Sequence, residues 1–293
     1  MELAEETLLR KRIFADLDVM TSHTDGTLSR EQLLNYQIDG QKLQLIDYSR
    51  GIWNPARFSA TLSVVSTPGG PYPDKEIVPG VWEYSFQNVS GGVNKKLIAV
   101  HELGAEIILF HKLEPNVYLP IYPVKVIGVD HKRQLVTLAI SQLADIDIHA
   151  PSEVERRWAT SEAARRVHQP AFRAMVLRAY DTQCTVCHFR HAELLDAAHI
   201  LSDRHERGLA RTSNGMSMCK IHHAAYDQNF MGIDADYRIH INSGLLHEVD
   251  GPMLRHGLQE MDGQAIILPS RKADHPNRDN LEERFEAFNM SQG

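Results

Sequence analysis

The chain has 293 residues, of which 43% are apolar, and its formal net charge is −7. This length is enough for two domains that each bury a core of their own. No run reaches the roughly 18 apolar residues that a membrane-spanning helix needs, and the N-terminus lacks the apolar core of a secretory signal. The sequence therefore predicts a cytoplasmic protein without a membrane partner.

The charge is unevenly distributed along the chain. Residues 1–150 carry 14 Lys and Arg against 18 Asp and Glu, residues 151–229 carry 11 against 9, and residues 230–293 carry 6 against 11. Only the middle part is positive, and it contains six closely spaced arginines: Arg156, Arg157, Arg165, Arg166, Arg173 and Arg178. They form a candidate phosphate-facing surface, and a solvated helix face is the alternative.

Residues 1–149 are predicted to form an α+β domain around a curved sheet or barrel. Helices are expected at Thr7–Met20 and Asn94–Leu103 from the spacing of their apolar residues. Five short runs are rich in β-branched and aromatic residues and are separated by Gly, Pro and Asn, which is typical of strands. These runs are Thr61–Ser66, Trp82–Phe86, Glu106–His111, Val124–Val129 and Leu135–Ile140.

Residues 150–169 are interpreted as a helical linker with a charged helix at Glu153–Arg166, and residues 170–293 as a second domain. Pro170 is expected to open a further helix, since a first turn does not need its missing N–H. An apolar stripe on that helix should face a core. The remaining elements predicted are a strand at Tyr237–Ile241, a helix at Pro252–Glu260 and a strand at Ala265–Leu268.

The three cysteines of the chain fall into a metal-binding pattern. Cys184 and Cys187 form one pair, and Cys219 with His222 forms a second pair at the same spacing. An odd number of cysteines argues against a disulfide framework, and four ligands of these types predict a tetrahedral zinc site. Because four protein ligands close the coordination sphere, this zinc should be structural.

Between and after these pairs lie Asp196-Ala-Ala-His199-Ile, then Asn214-Gly215, then His223-Ala-Ala-Tyr-Asp227. This order closely resembles the HNH family of ββα-metal nucleases, in particular the zinc-bearing branch found in modification-dependent restriction enzymes. The resemblance covers about 50 residues, from Cys184 to Ile233. It implies an HNH endonuclease domain in which His199, Asn214 and His223 are the catalytic residues.

Phosphodiester hydrolysis needs an activated water and a cation on the phosphate. A neutral His199 can accept the proton of the water, and His223 with Asp227, one helical turn apart, can hold one Mg²⁺ or Mn²⁺ ion. Asp196 is a candidate third ligand, although family members place a ligand directly before the base, where this chain has Ala198. The resemblance implies that Asn214 fixes the strand pair and polarises the base; a plain Asn-Gly turn is the alternative.

A looser resemblance concerns the first domain. Its Gly69-Gly70-Pro71-Tyr72-Pro73-Asp74, Trp82-Glu83-Tyr84, Asn94-Lys95-Lys96-Leu97 and Tyr122-Pro-Val-Lys-Val126 segments are similar to the SRA (PUA-like) fold. That resemblance implies flipping of 5-methylcytosine from duplex DNA, with Tyr72 and Tyr84 stacking on the base and Asp74 contacting its amine. The alternative is an ordinary half-buried strand, which also alternates aromatic residues.

Together these features predict a type IV-like restriction endonuclease that acts on methylated double-stranded DNA. A homodimer is expected, since one active site of this type cuts one strand. One alternative is an HNH nickase or repair nuclease without modified-base specificity. A second alternative is a zinc-containing nucleic-acid-binding protein that does not catalyse.

Overall fold

The computed structural model describes residues 1–67, 74–78, 80–86, 92–144, 168–203 and 205–292. The chain divides into two compact units, Met1–Pro170 and Ala171–Gly293. Tyr72 and the predicted charged helix Glu153–Arg166 lie outside the described residues. None of the helices within the described ranges is long and apolar enough to cross a membrane.

The first unit contains a mixed sheet and four helices among its described residues. In chain order its elements are α1 Leu3–Ser22, β1 Leu28–Ser29, α2 Arg30–Leu34, β2 Gln37–Ile38, β3 Gln41–Lys42, β4 Ile52–Trp53, β5 Ser63–Ser66, β6 Lys75–Val78, β7 Val81–Ser85, α3 Gly92–Leu103, β8 Ile107–Glu114, β9 Val117–Asp130, β10 Leu135–Ile140 and α4 Ser141–Ala144.

Among the described residues, the large sheet has eight strands, in the order β4-β5-β8-β9-β10-β7-β6, with β1 pairing to β9. The β5–β8 pair is parallel and the other pairs are antiparallel. Over the part of the chain that is described, β4 and β6 form two open edges. The predicted mixed α+β character is therefore confirmed, whereas the sheet does not close into a barrel.

Both faces of this sheet are buried, as alternation along β8 shows. Ile107 and Leu109 join one apolar cluster, which includes Leu97 and Val100 of α3. Ile108 and Phe110 point the opposite way, since side chains alternate along a strand, and join a second cluster with Ile13, Phe14 and Leu17 of α1. The two helices predicted in this unit therefore cover opposite faces of the sheet.

The second unit is built around one core of its own. Its elements are α5 (residues 168–179, whose first three residues belong to the first unit), the short 3₁₀ turn Ala192–Leu194, β11 Leu195–His199, the 3₁₀ turn Thr212–Asn214, β12 Gly215–Cys219, α6 Lys220–Asp227, β13 Met231–Ile233, β14 Ile239–Ile241, α7 Ser243–Leu246, α8 Pro252–Gly257, two further 3₁₀ turns Gln259–Met261 and Lys272–Asp274, and α9 Arg278–Met290.

Several predictions for this unit differ from the structure in detail. The Pro252–Glu260 helix is split into α8 and a 3₁₀ turn. The Ala265–Leu268 strand is reduced to one isolated bridge between Arg238 and Ala265. The final helix α9 is absent from the sequence-based prediction, because its apolar residues, including Leu281 and Phe288, are separated by charged ones.

Candidate active site and metal centre

A strand hairpin followed by a helix forms the frame of the candidate site. β11 and β12 are antiparallel, with Leu195 opposite Cys219 and His199 opposite Gly215. Helix α6 starts at Lys220, directly after the last residue of β12. In this ββα arrangement α6 packs against both strands of the hairpin.

The four predicted zinc ligands lie together. The ligand atoms of Cys184, Cys187, Cys219 and His222 are all within 4.8 Å of one another. The Sγ atoms of Cys187 and Cys219 are 4.0 Å apart, and His222 Nδ1 lies 3.6 Å from Cys184 Sγ and 3.1 Å from Cys219 Sγ. A tetrahedral zinc with Zn–S bonds of about 2.3 Å requires ligand separations of about 3.5 to 3.8 Å. The donor set and its spacing are compatible with zinc.

The second ring nitrogen of His222 supports the same assignment. His222 Nε2 lies 2.6 Å from the carbonyl oxygen of Gly257 at the end of α8. Because a carbonyl only accepts, Nε2 carries the hydrogen, which leaves Nδ1 free to face the cysteines. Metal-binding histidines are commonly fixed in this way by a hydrogen bond at the other nitrogen.

The imidazole of His199 is held by an aromatic ring. Phe172 of α5 stacks on His199 with ring centroids 4.0 Å apart and an interplanar angle of 20°. Gly215, opposite His199, makes this approach possible, since a Cβ at this position would lie 2.6 Å from Phe172 Cζ and 2.5 Å from Val176 Cγ2. Because Gly215 has no Cβ, Phe172 of α5 can approach closely enough to stack on His199, the candidate base.

The surroundings of His199 favour its neutral form. Burial lowers the pKa of His199 below its usual value; the carboxylates of Asp203 and Asp227 oppose this effect and His223 adds to it. A histidine with a lowered pKa is uncharged at neutral pH and can accept a proton. The same charges indicate that His199, His223 and Asp227 share one electrostatic environment.

His223 lies between two carboxylates. Its Nε2 is 3.4 Å from Asp227 Oδ2, as expected for residues one turn apart on α6. Its Nδ1 is 3.6 Å from Asp196 Oδ2 on β11. The contact with Asp196, opposed by burial and assisted by Asp227, raises the pKa of His223. The side chain of Asp227 is 60% exposed, so this end of the arrangement is open to solvent.

Asp196 has two cationic partners besides His223. Lys220 Nζ lies 2.5 Å from its Oδ2, and Arg173 Nε lies 3.8 Å from its Oδ1. The contact with His223 lowers the pKa of Asp196 to about 2, because this contact and the hydrogen bond from Lys220 outweigh burial. Lys220 belongs to the Cys219-Lys-Ile-His222 motif, but its role was not predicted from the sequence.

Asn214 is only 3% exposed and bonds to backbone rather than to the imidazole of His199. Its amide donates to the carbonyl oxygen of Leu201, and its oxygen accepts from the N–H of Leu201 and from the side chain of Asn280. These bonds close the loop that follows His199. Asn280 of α9 lies 66 residues away in the chain, and no motif identified it.

Arg173, one of the six predicted phosphate-facing arginines, has a different role. Its guanidinium donates to the carbonyl oxygens of Ala192 and Leu195 and so fixes the start of β11. Four of the other arginines lie outside the described residues. For Arg173 the predicted phosphate-facing role is therefore replaced by an internal one.

In the first unit, Tyr84 of β7 is a core residue. It is 5% exposed, belongs to the apolar cluster beneath α3, and its hydroxyl donates to the carbonyl oxygen of Gly51 at 3.1 Å. A ring buried to this extent cannot stack on a base without a rearrangement. The predicted partner Tyr72 lies outside the described residues.

Asp74, just before β6, is half-buried. Burial raises its pKa to about 6, although the Ser66 hydroxyl and the backbone N–H groups of Thr67 and Ser85 donate to its carboxylate and lower it. A carboxyl group with a raised pKa is a candidate functional group. Burial raises the pKa of the Tyr84 hydroxyl, and the nearby carboxylate of Asp74 adds to this effect.

Residues 184–234 match the family model of the HNH endonucleases. The second unit therefore carries an HNH endonuclease domain, and the protein is a nuclease that hydrolyses DNA.

Two solved structures are similar to the chain. One is the modification-dependent restriction endonuclease TagI, with a TM-score of 0.31 and 14% identity over 82% of this chain and 86% of TagI. The other is ScoMcrA, a type IV phosphorothioation-dependent restriction endonuclease, with a TM-score of 0.22 and 16% identity over 64% of this chain and 55% of ScoMcrA. A comparison with curated proteins gave no match.

Proposed function

We propose that this protein is a restriction endonuclease for modified DNA, in which the second unit cuts and the first unit selects the modified base. The observation that carries the nuclease part is the HNH match over residues 184–234, together with the grouping of His199, His223 and Asp227 beside the ββα hairpin. The selectivity for 5-methylcytosine, an SRA-like first domain at residues 1–149 and a homodimeric state are further parts of the proposal.

In this proposal His199 is the general base. Its lowered pKa keeps the imidazole neutral, and the Phe172 ring restricts its orientation, so that one nitrogen can accept a proton from water. The water proton passes to His199 as the attacking oxygen bonds to phosphorus, and the bond between phosphorus and the leaving oxygen breaks. Asn214 and Asn280 hold the loop that follows the base in place.

His223 and Asp227 are the proposed ligands of the catalytic ion. The 3.4 Å between His223 Nε2 and Asp227 Oδ2 is close to the roughly 3 Å separation of adjacent ligands on an octahedral ion with bonds near 2.1 Å. The exposure of Asp227 leaves this pair accessible to DNA. A Mg²⁺ or Mn²⁺ ion bound there would stabilise negative charge on the phosphate and on the leaving oxygen.

Ion dependence can be measured by plasmid cleavage. We expect EDTA to stop cleavage and added Mg²⁺ or Mn²⁺ to restore it, whereas the His223→Ala and Asp227→Ala variants should no longer respond to added ion. His256→Ala is the matched control, because His256 of α8 and Glu260 of the following 3₁₀ turn form an exposed histidine–carboxylate pair, also four residues apart in the sequence. Cleavage that resists EDTA would exclude the proposed ion.

The choice of substrate separates the proposed function from its alternatives. Plasmids that are unmodified, 5-methylcytosine-containing or phosphorothioated are compared; the last is included because ScoMcrA is a phosphorothioation-dependent enzyme. Faster double-strand cleavage of methylated plasmid is expected. Equal nicking of all plasmids would favour the nickase or repair nuclease, and binding without cleavage would favour the non-catalytic zinc protein.

The base pocket is tested by variants of the first unit. Asp74→Asn should reduce the preference for methylated over unmethylated duplex by roughly 10- to 150-fold, the effect of losing about 1.5–3 kcal/mol from one hydrogen bond to a charged group. Glu102→Gln, a change of the same type at an exposed position of α3, should keep the preference. An unchanged preference in Asp74→Asn would remove Asp74 from the proposed pocket.

Tyr84→Ala serves as the structural comparison. Because Tyr84 is buried, its truncation should cost about 3–5 kcal/mol of unfolding free energy and weaken binding to every DNA equally. Thermal melting and duplex binding measure both effects. Loss of the methyl preference with an unchanged melting temperature would instead assign Tyr84 to the pocket.

A further inference from the structure

Asp196 contacts His223, one of the two proposed ion ligands, but on the side of the ring opposite to Asp227. It approaches His223 at Nδ1, whereas Asp227 approaches the same ring at Nε2. The lone pairs of the two ring nitrogens point away from each other in the ring plane, so an ion bound at one nitrogen leaves the other free. Asp196 and Asp227 therefore lie on different sides of the ring.

The wider grouping of ligand atoms agrees with this separation. Within the described ranges, the Cys184, Cys187, Cys219 and His222 group is the one set of three or more such side chains whose ligand atoms all lie within 4.8 Å of one another. Asp196, His223 and Asp227 do not form such a set, although His223 contacts each of the two acids. A chain of contacts links the three residues instead of a shared centre.

Both oxygens of Asp196 already have cationic neighbours. Oδ2 is 2.5 Å from Lys220 Nζ, and Oδ1 is 3.8 Å from Arg173 Nε. Arg173 is itself bonded to the backbone of β11, so this side of the carboxylate is attached to the strand. Lys220 and Arg173 therefore hold the Asp196 carboxylate in place. In that position it can accept a hydrogen bond from the Nδ1–H of His223 and so orient the ring.

We propose that Asp196 is a positioning residue that fixes the ring of His223 through Nδ1 and directs Nε2 toward the catalytic ion. This inference rests on the proposed function of His223 as an ion ligand and replaces direct coordination by Asp196. Histidine ligands of metals are commonly oriented by a carboxylate at the other nitrogen, and loss of such a partner costs about 10- to 100-fold in metal affinity or activity. A shift of about 0.5 Å would bring the 3.6 Å contact to hydrogen-bond distance.

The first experiment detects the ring orientation with the structural zinc in place and without any added Mg²⁺ or Mn²⁺. Nitrogen NMR of the full chain with labelled histidine, at a pH where His223 is neutral, reports which nitrogen carries the hydrogen. The wild type should show the Nδ1–H form of His223. Asp196→Ala should shift the population toward Nε2–H, and Asp196→Asn, whose amide oxygen still accepts a hydrogen bond, should retain more of the Nδ1–H form. An unchanged population in Asp196→Ala would overturn the proposal.

The second experiment measures Mn²⁺ binding by the same full-chain variants. Asp196→Ala should weaken binding by about 10- to 100-fold, Asp196→Asn by less, and Asp227→Ala should weaken it most. His256→Ala is expected to bind as the wild type does. A structure of the Mn²⁺ complex with an Asp196 oxygen bonded to the ion would overturn the positioning role.

The proposed ion site and the positioning role of Asp196 can fail separately. If the wild type and His223→Ala bind Mn²⁺ equally, or if neither binds it, the proposed ion site fails. The NMR result then still decides whether Asp196 orients His223. If the ion site is present and Asp196 coordinates the ion, only the positioning role fails and the proposed nuclease mechanism stands.

Discussion

Replacing His199 by alanine is expected to reduce DNA cleavage by about 10²- to 10⁴-fold, the usual contribution of a positioned general base. The DNA affinity should change little, because a base acts in the transition state and not in ground-state binding. Single-turnover cleavage and equilibrium binding to the same duplex separate these effects. A variant that cuts at nearly the wild-type rate would show that another group accepts the proton.

A control is needed for the loss of packing, since His199 stacks on Phe172. His240 is a suitable match, because it is another partly buried histidine of the second unit whose ring packs against a phenylalanine, with centroids 4.7 Å apart. His240→Ala should retain cleavage activity. Equal losses in the two variants would indicate that the effect of His199→Ala comes from folding.

The pH dependence of cleavage provides a further test of His199 as the general base. A general base must be deprotonated, so activity is present above its pKa and is lost as the pH falls through it. Burial lowers the pKa of His199 below its usual value, and the acid limb attributed to this residue should therefore lie below pH 6.5, the ordinary histidine value. Activity that begins only well above that pH would argue against a buried, neutral base.

The ββα region could be predicted from the sequence because its information is local. One short segment, which the HNH match covers, contains every feature used for the prediction. These features are the Cys184/Cys187 pair, the Cys219/His222 pair, the strand that ends at His199, and the one-turn spacing of His223 and Asp227. A run rich in β-branched residues likewise predicted the strand Leu135–Ile140, which is β10 at the same bounds. Local spacing therefore predicts elements and ligand pairs.

Contacts between distant segments could not be predicted in this way. The hydrogen bond from Asn280 to Asn214 and the hydrogen bond from His222 to Gly257 join residues 66 and 35 positions apart. Asn214 and His222 belong to recognisable motifs, but no sequence pattern marks Asn280 or Gly257 as their partners. Tyr84 illustrates a different limit. Alternating aromatic residues fit both a core strand and a base-stacking surface, and only the packing of α3 on the sheet shows that this ring is buried.

The proposed zinc site should decide whether the second unit folds. We expect purified protein to contain about one zinc per chain, because the closed four-ligand site couples metal binding to folding. Structural zinc contributes about 10–16 kcal/mol in zinc-finger peptides, which is comparable with or larger than the roughly 5–15 kcal/mol of a whole domain. Cys184 and Cys219 also belong to the apolar core, so loss of the metal would disturb packing as well.

Cys219→Ser should therefore unfold the second unit while the first unit, which has its own cores, stays folded. Hydrogen exchange on the full chain would show this as loss of protection confined to residues 171–293, and elemental analysis would show loss of zinc. His191→Ala, an exposed histidine close to the cluster in sequence but not part of it, is the matched control and should retain both. Protein that contains no zinc as purified, or that keeps full protection in Cys219→Ser, would contradict a structural metal.

Since His223 and Asp227 lie on the helix that carries His222, cleavage should be lost together with the metal even though no zinc ligand is proposed to contact DNA.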